Sequence, residues 1–62
     1  MDPNKTYLRI KELIKKDSLS PEEREDLADF TESLENWIDN GGFLPENFNI
    51  EVLNNASMRA YN

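Results

Sequence analysis

Residues 20–43 read Ser20-Pro21-Glu22-Glu23-Arg24-Glu25-Asp26-Leu27-Ala28-Asp29-Phe30-Thr31-Glu32-Ser33-Leu34-Glu35-Asn36-Trp37-Ile38-Asp39-Asn40-Gly41-Gly42-Phe43, and this stretch decides the fold. Ser20 is suited to cap a helix, Pro21 to open it, and Glu23 completes a capping box three residues after the serine. In that box the hydroxyl accepts from the Glu23 N–H while the glutamate reaches back to the Ser20 N–H. Two donors that every helix start leaves orphaned are thereby satisfied. Leu27, Phe30, Thr31, Leu34, Trp37 and Ile38 then recur at three- and four-residue intervals, a stripe roughly 120° wide. The stretch closes on a glycine pair. With Gly42 in the left-handed position just past the helix, Phe43 follows it and Ile38 in the last turn meets it, as in a Schellman motif. The spacing predicts a helix over Pro21–Asn40, on the order of 30 Å long.

Upstream, Asp2-Pro3 gives a second helix start. Tyr7, Ile10, Leu13 and Ile14 follow at helical spacing, with Lys5, Arg9, Glu12 and Lys16 on the other side. Leu8 lies off the stripe, at its boundary or free for another contact. This helix is expected over Pro3–Lys16, its closing lysines matched to the negative end of the dipole. Asp17-Ser18-Leu19 is a short connection, and a short connection folds two helices back on each other.

Downstream of Pro45 the pattern is weaker. Phe48, Ile50 and Val52 alternate as in a strand, while Ile50, Leu53, Ser57 and Ala60 fit a helix capped by Asn47 or Asn49. A lone strand would find no partner here, so a short helix near Ile50–Asn55 is preferred. Phe43, Leu44, Phe48, Ile50 and Leu53 are then expected to fold back over the open seam. The expected class is all-α: an antiparallel helical hairpin of two long helices, covered by a short third helix or C-terminal segment. Residues 1–56 make a single small helical domain, and residues 57–62 a frayed C-terminal tail.

With 62 residues the chain has room for one modest core, and no Cys or His supplies a disulfide or a thiolate or imidazole metal site. Regular packing or self-association must make up the difference. The N-terminus lacks the apolar run of a signal peptide, and nothing is long enough to span a membrane, so a cytoplasmic location is expected. Net charge is −6. It is unevenly placed: residues 1–17 carry five bases against three acids, and residues 18–62 two bases against ten acids. Such a surface disfavours direct contact with nucleic acid or anionic lipid and suits a protein partner with a basic surface.

Catalysis is not expected, because nucleophilic triads and most acid–base pairs need residues this chain does not have. No cofactor or metal site is expected either. The loop Asp39–Glu46 is rich in oxygen but breaks the EF-hand pattern, with Gly41, Phe43 and Leu44 at its third, fifth and sixth positions. Two features remain. Glu22, Glu25, Asp29, Glu32, Asn36 and Asp39 line one outer face of the second helix, carboxylates following each other at roughly 4.5–6 Å along the axis except across Asn36. Trp37 and Phe43 stand together at its far end, as the plug of the hairpin or as an interface, including that of a homodimer. The expected binding residues are Glu25, Asp29, Glu32, Trp37, Asp39 and Phe43. They fit a non-enzymatic accessory or regulatory protein that binds another protein. The alternatives are a nucleic-acid mimic that inhibits a DNA- or RNA-binding protein, since a carboxylate row imitates a phosphate backbone, and a small homo-oligomeric structural module.

Overall fold

The computed structural model describes residues 1–61, in which three helices and no strand occur. α1 spans Pro3–Ile14, α2 spans Pro21–Asp39 and α3 spans Ile50–Tyr61. Each helix packs against the other two. The all-helical class is as expected, but the proportions differ. Only α2, with 19 residues, is long; α1 and α3 have 12 each. The third helix is therefore an equal member of the core rather than a short cover.

α1 starts as its sequence demands. The Asp2 carboxylate accepts from the N–H groups of Asn4 at 3.0 Å and Lys5 at 3.3 Å. Its inward face buries Tyr7, Ile10 and Leu13. The helix stops at Ile14, short of the expected Lys16. There the Arg59 guanidinium, arriving from α3, donates to the carbonyls of Ile14 and Lys16. The first is an acceptor that the helix end leaves free and the second lies just past the C-cap, and a basic fork satisfies both.

At the start of α2 the capping box forms in both directions, each hydrogen bond being 3.1 Å. The far end departs from expectation by one residue. Gly41, at φ +84°, takes the left-handed position assigned above to Gly42. Its N–H donates to Ile38 at 3.0 Å and that of Gly42 to Trp37 at 2.8 Å, the two bonds of a Schellman motif. The reason is steric. Trp37 lies across Gly42 so closely that any Cβ there would collide with the indole ring. The second glycine is needed for clearance and the first for its backbone angle.

The segment between α2 and α3 is tied to α1. The Glu46 N–H donates to the Asn4 side-chain oxygen at 2.7 Å, and the Asn49 N–H to the Tyr7 hydroxyl at 2.9 Å. Phe48 packs on the Tyr7 ring with centroids 5.3 Å apart. Asn47 turns the chain at φ +57°, an angle asparagine tolerates better than most residues. Asn49 then caps α3, accepting from the Glu51 N–H at 2.9 Å.

α3 continues to Tyr61, well past the stop expected near Asn55. Residues 57–61, expected as a frayed tail, are helical, and Asn62 lies outside the described residues. Leu53, Ala56 and Ala60 form the buried stripe, joining Tyr7, Ile10, Leu13, Leu27 and Leu34 in one core. Thr31 is buried with them, its hydroxyl without a hydrogen-bond partner. Of the residues expected to close over the seam, Leu53 and Phe48 do so. Phe43, Leu44 and Ile50 stay exposed. Ile50 sits about 90° around the helix from its buried stripe, at 100° per residue. No helix among the described residues is long and apolar enough to cross a membrane.

Candidate protein-binding surface along α2

The core stripe of α2 fixes which way its other side faces. With Leu27, Thr31 and Leu34 fully buried, the positions opposite them must face water. Glu22, Glu25, Asp29, Glu32 and Asp39 are all exposed, with Asp26 and Glu35 exposed beside them. Along the axis Glu25 to Asp39 covers about 21 Å at 1.5 Å per residue. The row stands on a helix whose two ends are both capped.

No described residue forms an ion pair with the row. Among the described residues the ion pairs are Arg9 with Glu12, at 2.9 Å, and Lys16 with Glu23. Neither involves a carboxylate of the row. Glu23 is chemically set apart from its neighbours. The Lys16 ammonium bonded to its carboxylate, reinforced by the Ser20 N–H, lowers its pKa from 4.5 to about 2. It belongs to the cap, and the row to the solvent. Among the described residues, no three or more carboxylates gather into a cluster able to hold a metal ion.

At the other end of α2, Trp37 and Phe43 meet edge to face, centroids 5.5 Å apart and planes at 89°. The indole N–H donates to the Phe43 carbonyl at 2.8 Å, so the ring is half-buried with its polar atom satisfied. Trp37 packs against the core, while 62% of Phe43 remains exposed. Of the six residues expected to bind, Glu25, Asp29, Glu32 and Asp39 share the outer face of α2. Trp37 and Phe43 are brought together at its end, close in sequence to Asp39.

A further feature arises only from the packing of distant segments. An open groove of about 430 Å³ lies between the start of α2 and the end of α3, lined by Leu19, Pro21, Arg24, Glu25, Ala28 and Ala60. Glu25 is common to the groove and the row. Ala60 completes the groove only because α3 extends that far, so no local signal pointed to it. Leu8, noted as off its stripe, is 54% exposed on the outer side of α1. Comparison with known proteins finds no matching family model, no similar curated protein and no similar solved structure.

Proposed function

We propose that this chain is a small non-enzymatic accessory or regulatory module that works, in the cytoplasm, by binding another protein with a basic surface. The observation that carries this reading is the row Glu25, Asp29, Glu32 and Asp39, exposed and without ion-pair partners among the described residues on a helix capped at both ends. A fixed line of unneutralised carboxylates draws a cationic surface towards it and sets its register, and such contacts act mainly on the rate and specificity of association. Trp37 and Phe43 supply an apolar anchor at the end of that line, of the kind that concentrates binding energy. In this reading α1 and α2 act as an antiparallel hairpin, held across their connection by the Lys16–Glu23 pair, so that the row is presented on a stiff support.

The test is affinity capture from the native host with the wild-type chain and with the triple variant Glu25→Lys, Asp29→Lys, Glu32→Lys. The three positions face away from the core, and lysine is a good helix former, so the variant is expected to fold. Loss of capture, with wild-type binding that weakens steeply in salt, supports the row. Unchanged capture by a folded variant removes it. If the captured protein is itself a DNA- or RNA-binding protein displaced from nucleic acid by the chain, the module is a mimic of the phosphate backbone.

A further inference from the structure

We propose that two copies of this chain associate by seating Leu8 of one copy in the groove between the start of α2 and the end of α3 of the other. The groove has an apolar floor of Leu19, Ala28 and Ala60 and a rim on which Arg24 and Glu25 stand exposed. Among the described residues Arg24 has no ion-pair partner, and neither has Glu25. An occupant that fits must bring a medium-sized apolar side chain flanked mainly by cations, with one anion for Arg24.

The outer face of α1, continued by its C-cap Lys15, carries that set. At 100° per residue Lys5, Leu8, Glu12 and Lys15 fall within about 80° of one another, and all four are exposed. Leu8 is the apolar member, with Lys5 on the turn before it and Glu12 on the turn after. Lys5 meets Glu25 across the rim, and Lys15, about 15 Å further along, reaches the acidic outer face of α2; Glu12, held within its own chain by Arg9 at 2.9 Å, is shared with Arg24. The complementarity is already present in the charge distribution, since the basic residues are concentrated in α1 and the acidic ones in α2. A volume of about 430 Å³ holds a leucine together with the aliphatic stems of the flanking lysines. Domains of this size bury little apolar surface alone, so covering Leu8 and the groove together adds to a small core.

This inference does not rest on a foreign partner for the acidic row, with which it shares Glu25. A second copy seated in the groove would cover that end of the row and so compete with such a partner there.

Sedimentation equilibrium on the full chain, from about 10 μM to about 1 mM, reads the association. The wild type should show a molar mass that rises with concentration above that of the monomer, less so as salt screens the rim. Leu8→Lys changes an exposed position and should keep the fold, checked by circular dichroism, while weakening association at least about tenfold. Ala28→Glu fills and charges the groove and should do the same. An equimolar mixture of the two variants should associate again, because one retains the leucine and the other retains the groove. The introduced lysine of one chain can also meet the introduced glutamate of the other. Should Ala28→Glu fail to fold, Leu8→Lys carries the test alone. It is joined by intermolecular NOEs from Leu8 methyls to those of Ala28 and Ala60 in a mixed labelled sample. A wild type that stays monomeric at about 1 mM overturns the proposal. So does a Leu8→Lys chain that associates as tightly as the wild type, or a dimer without those NOEs.

Discussion

The two ends of α2 solve the same problem by different physics. At the N-terminal end the orphaned backbone groups are met by side chains: Ser20 and Glu23 exchange hydrogen bonds, and Lys16 holds the glutamate in place. At the C-terminal end they are met by the backbone itself. Gly41 turns left-handed, Gly42 gives clearance to Trp37, and two main-chain bonds close the turn. The first end is polar and carries charge, so it should respond to acid. The second closes through backbone bonds and steric fit, so it should respond to the addition of a methyl group. A polar cap can be weakened by degrees, whereas the close contact at Gly42 leaves no room for an added methyl.

The largest effect should come from a methyl group at the C-terminal end. Gly42→Ala drives a Cβ into the Trp37 indole, which is pinned by its bond to the Phe43 carbonyl. Overpacking of this kind costs about 1–3 kcal/mol. Gly41→Ala meets no atom, so its cost is the backbone angle alone, about 1 kcal/mol. Thermal melts and Trp37 fluorescence of the two variants separate the mechanisms: only Gly42→Ala should shift the emission. A milder loss for Gly42→Ala than for Gly41→Ala would reverse the roles assigned to the two glycines.

That assignment marks where sequence stopped being sufficient. Two adjacent glycines satisfy a Schellman motif in either register, and the pattern Ile38–Phe43 suggested the later one. What decides between them is the position of the Trp37 ring, which is a property of the packed molecule. The start of α2 was legible for the opposite reason: every group in the capping box lies within four residues. α3 shows a further limit. Its buried face is Leu53, Ala56 and Ala60, and two alanines give little hydrophobic signal although they allow α3 close to the rest of the core. Arg59, which closes α1 from across the chain, leaves no local trace at all. Of the candidate site, the acidic row and the Trp37–Phe43 pair could be read because helical periodicity alone positions them. The groove could not, since one of its walls comes from α3.

An intermediate effect is expected at the polar end. Ser20→Ala removes the acceptor for the Glu23 N–H and should cost about 1 kcal/mol, the usual loss for an N-cap. It should also release Glu23 and make the Lys16 pair less ordered, visible as increased mobility of the Glu23 side chain in NMR relaxation. A melting temperature equal to that of the wild type would mean that the first turn of α2 is held by Pro21 and by packing, and that the contrast between the two ends is one-sided.

The smallest effect is the one most specific to the contrast, and it concerns acid. Glu23 has a folded pKa of about 2 against an ordinary 4.5, lowered first by Lys16 and then by the Ser20 N–H. A carboxyl whose pKa is depressed by folding adds stability above its unfolded value, and that contribution drains away as pH falls through the folded one. The window is therefore pH 4.5 down to about 2. Because the pair is at the surface, water screens it and the effect is small. Glu23→Gln isolates it, since glutamine keeps the geometry of a capping box but has no charge to lose. The difference in melting temperature between wild type and Glu23→Gln should favour the wild type at neutral pH and shrink as the window is crossed. Charges along the outer face of α2 are common to both proteins and cancel in that difference. Gly41→Ala is the control from the other end: its deficit relative to the wild type should be the same on both sides of the window, because it adds only a methyl group and the nearby carboxylate, Asp39, is common to both proteins. A Glu23→Gln difference that stays constant through the window would show that the cap works through geometry alone, and the two ends of α2 would then be alike.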